Sequence, residues 1–81
     1  MDDDQDLERK KIAHSEQLAE RAYDEMYEAK GHGAAMAYFS EIKENFYDAI
    51  NAANRLHDVA EAERLQRRLA HIKAVYRSQF T

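Results

Sequence analysis

The chain has 81 residues, of which 44% are apolar and 35% charged, with 16 Asp and Glu against 12 Lys and Arg for a net charge of −4. That length supports one domain and one core, and the charge is too frequent for a membrane span and the apolar content too high for a disordered chain. Cysteine is absent, which excludes disulfide staples, zinc ribbons, thiol nucleophiles and iron–sulfur clusters.

With no Pro, two Gly and many good helix formers, the expected fold is all-α, an up-down-up three-helix bundle. The chain opens on Met1-Asp2-Asp3-Asp4-Gln5-Asp6, the opposite of a basic then apolar leader, so the expectation is a cytoplasmic protein without a signal peptide. Residues 1–4 are expected to be an acidic, frayed start to a single domain covering 1–81.

Helix 1 is predicted over about residues 4–30, with Ile12, Ser15, Ala19, Ala22, Met26 and Ala29 at heptad positions and Leu18 and Tyr23 beside them. Small side chains on this seam permit close helix approach. Both glycines then fall in Lys30-Gly31-His32-Gly33, which predicts a break with Gly31 as a left-handed C′ residue and Gly33 as the next N-cap.

Helix 2 is predicted over about 34–56, where Ala35, Phe39, Ile42, Phe46, Ala49, Ala53 and Leu56 recur at alternating spacings of 4 and 3. Further apolar residues off the stripe (Met36, Tyr38, Tyr47, Ile50, Ala52) suit a central helix with two neighbours. Beyond Leu56 the phase slips, and a new stripe runs through Ala62, Leu65, Leu69, Ile72 and Tyr76. Because Asp58 and Glu61 stand where a capping box needs an N-cap and an N3 acid, helix 3 is predicted over about 59–80. The alternative is one continuous helix with a register shift.

Net charge by segment is −5 for residues 1–30, −1 for 31–57 and +2 for 58–81. In an up-down-up bundle helices 1 and 3 are neighbours, so the first expectation is attraction between an acidic and a basic helix. A second reading takes Arg64, Arg67, Arg68 and His71 as one exposed basic stripe able to bind phosphates, which makes a nucleic-acid-associated regulator the alternative function.

His14, His32, His57 and His71 lack the Glu three residues earlier that a di-iron bundle requires, so no metal site is expected. No Gly-rich phosphate loop or Ser/His/Asp context is present, and neither catalysis nor a cofactor is expected. What stands out is a surplus of aromatic residues, more than a core of this size absorbs.

The stretches Ala29-Lys30-Gly31-His32-Gly33-Ala34-Ala35-Met36-Ala37-Tyr38-Phe39 and Leu56-His57-Asp58-Val59-Ala60-Glu61-Ala62 resemble the inter-helix turns of tetratricopeptide-type hairpins. The turns repeat after 25 residues where that family's period is about 34, and its Trp and Pro positions have no counterpart. In length and layout, residues 15–80 look more like a microtubule-interacting-and-trafficking domain, which implies a three-helix module that receives partner helices.

The expected function is therefore protein–protein interaction or self-association, with a second copy, as a two-fold dimer, or another helical protein as partner. Tyr38, Tyr47 and Ile50 on helix 2 are the first candidates for the contact patch, and Tyr23 and Tyr27 on helix 1 the second. A chain this short buries only about 60% of its unfolded surface, so oligomerisation is a natural supplement to its stability.

Overall fold

The computed structural model describes residues 3–80 and contains α1 (Asp3–Glu28), α2 (His32–Arg55) and α3 (Val59–Gln79), with no strand among the described residues. Fraying expected at residues 1 and 2 falls outside the described residues. Asp3 and Asp4 are already helical, so the helix begins before the expected boundary.

At the first turn the glycine roles differ from the expectation. Gly31 is the N-cap of α2, at φ 94° and ψ 152°, a conformation that glycine alone adopts without strain. Since Gly31 carries the whole reversal, Gly33 sits inside the first turn of α2 and α1 ends at Glu28. No side chain caps α2; its first bond runs from the Ala35 N–H to the Gly31 carbonyl at 3.3 Å.

The second turn forms without any glycine, and this rules out the single long helix. His57 takes the left-handed conformation at φ 57°, where His is among the better tolerated residues. Its N–H donates to the Asn54 carbonyl at 2.9 Å, and the Asp58 N–H donates to Ala53 at 3.0 Å, the paired bonds of a Schellman motif. Asp58 then starts α3, its carboxylate accepting from the Glu61 N–H at 3.1 Å. The expected capping box is only half formed, because the Asp58 N–H already belongs to Ala53. Glu61 turns to Arg64 instead, at 2.7 Å.

The core follows the three predicted stripes, except that Ser15, Ala29, Phe39 and Leu56 are only part-buried and Ile50 and Ala52, off the stripe of α2, are buried with it. Phe46, Met26, Ile42, Leu65 and Ile72 are its largest fully buried side chains, and no buried polar residue interrupts it among those described. Ala19 and Ala22 on α1 and Ala49, Ala52 and Ala53 on α2 are also buried, and α1 and α2 backbones approach within 8 Å along much of their length. Small residues make that approach sterically available. α1 and α3 scarcely come that close.

Long side chains bridge the wider α1–α3 seam. Arg64 makes two hydrogen bonds to Glu16 at 2.8 and 2.9 Å, Arg68 makes two to Glu20 at 2.7 and 2.8 Å, and Arg9 reaches Asp58 at 3.1 Å. The expected attraction between an acidic and a basic helix is thus realised, with the two helices parallel. On α2, which runs the other way, Arg55 pairs with Glu8.

Three carboxylates in such contacts are expected to make stability fall in acid. Hydrogen bonding from the Glu61 backbone and from Arg9 holds the Asp58 carboxyl below its usual range, and Arg64 does the same for Glu61 and Arg55 for Glu8. A carboxyl lowered in the folded state stabilises above its unfolded pKa, and that contribution fades as the pH falls through the folded value. The melting temperature should hold from neutral pH down to about 5 and drop progressively through 4 and below. A flat profile across that window in circular dichroism melts would show that the pairs contribute nothing.

Candidate interaction surface

Two groups of side chains extend from the core toward solvent. The first is a run of aromatic rings at the end of the bundle where α1 and α3 finish and α2 begins. Tyr23 meets Tyr27 edge to face at 5.4 Å, Tyr27 meets Phe80 likewise at 5.3 Å, Phe80 lies parallel to Tyr76 at 5.9 Å, and Tyr76 stacks on Phe39 at 3.9 Å. Tyr76 is buried and Tyr27 is 49% exposed, so the run leads from core to surface.

Tyr23 is half-buried within this run, its hydroxyl 3.4 Å from that of Tyr27 and the Arg68 guanidinium 5.4 Å from its ring. Burial, reinforced by the Tyr27 hydroxyl, pushes its pKa up to about 12. It stays a neutral phenol at any physiological pH. Tyr38, also half-buried, faces α1, where the charge of Glu25 raises its pKa.

The second group lies on the flank formed by α2 and α3. The Lys73 ammonium donates to the Tyr47 hydroxyl at 3.1 Å and lies 5.5 Å from its ring, and Lys43 caps Phe39 at 4.8 Å. Met36 precedes Tyr47 by 11 residues and Val59 precedes Lys73 by 14, close to three and four helical turns, so both side chains share this flank. Met36 is 50% exposed, Tyr47 46% and Val59 66%.

Of the expected patch, Tyr47 is exposed and Tyr38 is turned toward α1, while Ile50 is only 8% exposed and belongs to the core. With Ile50 buried, the apolar face of the central helix is wider than a two-position stripe. The exposed members of the flank that were not expected are Met36 and Val59. Their spacing from Tyr47 and Lys73 was visible, but which side of each helix the neighbours leave open was not.

The basic stripe is divided by the fold. Arg64 and Arg68 point toward α1 and are held by Glu16, Glu61 and Glu20, leaving Arg67 and His71 on the outward side of α3. With only that remnant facing outward, duplex DNA or RNA should bind no tighter than about 10⁻⁴ M at physiological salt. Micromolar binding in a mobility shift, abolished by Arg67→Ala with His71→Ala, would restore the nucleic-acid reading.

The concavities are shallow and polar. One of about 500 Å³ lies along α2 over Glu41, Glu44, Asn45, Tyr47 and Asp48, and one of about 270 Å³ lies between α1 and α2 over Lys11, Ser15, Asp48, Asn51 and Arg55. Neither encloses a buried titratable group. Among the described residues no group of three or more His, Cys, Asp or Glu is placed to hold a metal, and no helix is long and apolar enough to cross a membrane. No protein-family model, curated protein or solved structure matches the chain, so the likeness of its turns to tetratricopeptide and microtubule-interacting-and-trafficking modules is one of pattern alone.

Proposed function

We propose that the chain is a helical interaction module, acting by helix-to-helix contact with a second copy of itself or with another helical protein. The observation that carries this reading is that Met36, Tyr47 and Val59, three of the five large apolar side chains exposed among the described residues, fall along one flank. Single exposed apolar residues are ordinary on a soluble protein, and it is their sharing one flank, with an exposed Tyr among them, that supports a contact surface there.

Light scattering at tens of micromolar is expected to give a mass above that of the 9.5 kDa chain, and Tyr47→Glu is expected to lower it. A strictly monomeric chain would leave only the hetero-partner form of the proposal. Ile50→Glu is not an equivalent test, because a charge at that buried position would unfold the chain.

A further inference from the structure

The three helices are not fastened alike. The α1 and α2 backbones run within 8 Å of each other along much of their length, those of α2 and α3 over a shorter stretch, and those of α1 and α3 scarcely at all. Across that last, wider seam, alongside the shared core, long charged side chains reach over: Arg9 to Asp58 at 3.1 Å, Arg64 to Glu16 at 2.8 Å and Arg68 to Glu20 at 2.7 Å, with the Arg68 guanidinium also 5.4 Å from the Tyr23 ring. These paired side chains are between 23% and 58% exposed, so dissolved salt reaches and screens them. The covalent tie of α3 to the rest is Leu56-His57-Asp58, where His57 holds φ 57°, a conformation that costs a residue bearing a Cβ.

We infer that α3 is a salt-released strap on a more durable α1–α2 hairpin: it swings out as one unit about the His57 turn and uncovers the core it shares with Ile42 and Phe46, while α1 and α2 stay paired. Segments with few close neighbours open at lower cost than densely packed ones, and the opening units follow the boundaries of supersecondary motifs. The His57 turn is such a boundary. α3 buries Ala62, Leu65, Leu69, Ile72 and Tyr76, and its departure leaves the close α1–α2 approach, with the Glu8–Arg55 pair at one end of it, in place. Higher ionic strength weakens the α1–α3 pairs and so favours the open form. The inference concerns the chain by itself and goes beyond the proposed function, holding whichever partner the module takes.

Native-state hydrogen exchange of the full chain tests this. The amides of Leu65, Leu69 and Ile72 are expected to exchange through an opening that leaves those of Ala22, Ala49 and Ala53 protected. Raising NaCl from about 0.05 M to about 0.5 M, which brings the Debye length well below about 10 Å, is expected to lower protection in α3 by about five-fold and in α1 and α2 by less than about two-fold, the effect of a few half-exposed pairs weakened together. Glu16→Gln with Glu20→Gln is expected to reproduce the loss at low salt and to leave little further salt effect, with a helical circular dichroism spectrum like that of the wild type. Exchange of all three helices through one common opening would overturn the inference. So would an α3 that opens first but is indifferent to both salt and the two substitutions.

Discussion

Phe46→Ala is expected to lower the unfolding free energy by about 3–5 kcal/mol, combining lost burial with the cavity left behind. Phe46 is fully buried at the middle of the central helix, among Ile42, Met26, Leu65 and Ile72. A small domain has ~5–10 kcal/mol in total, so the variant should sit near the edge of folding at room temperature. Phe39→Ala should cost distinctly less, since Phe39 is half-buried and its principal contact is the stack on Tyr76. Urea titrations of the two variants would measure the difference, and equal midpoints would mean that Phe46 is not at the centre of the core.

The second large effect is expected from the opposite kind of change. Ala49 is fully buried on α2, whose backbone comes close to that of α1. A Leu there has no volume to enter, so Ala49→Leu should destabilise by about 1–3 kcal/mol or more through displaced helices and off-rotamer side chains. Ala13→Leu, on the exposed side of α1, serves as the control and should be within about 0.5 kcal/mol of wild type. Thermal melts of both separate a tight α1–α2 seam from a loose one, because a loose seam would accept the Leu at 49 with no loss.

Most of the fold was legible because each helix carries its own phase. The slip after Leu56 and the Asp58 cap were enough to locate the second break, even though the residue that makes the turn, His57, belongs to no turn-forming signature. The first turn was less legible: two glycines one residue apart offered two assignments, and only the backbone angle at Gly31 separates them. On the surface, Tyr47 was identifiable as an off-stripe aromatic. Ile50 was misplaced because a heptad stripe understates how much of a central helix is covered on both sides. The division of the four basic residues was half visible, since the charge imbalance between helices foretold the pairing but not that Arg64 and Arg68 would be the ones to make it.

The α1–α3 bridges also bear on the order in which the molecule assembles. Each hairpin joins residues close in the chain through a connection of three residues, and such local contacts form early and cheaply in loop entropy. Glu16–Arg64 and Glu20–Arg68, by contrast, each span 48 residues, and their long side chains can meet only after both hairpins have closed. They are therefore expected to form on the native side of the folding barrier, where an interaction slows unfolding while leaving the folding rate nearly unchanged. Weakening the charges on the facing sides of the outer helices should accordingly shorten the time the bundle stays closed rather than slow its formation.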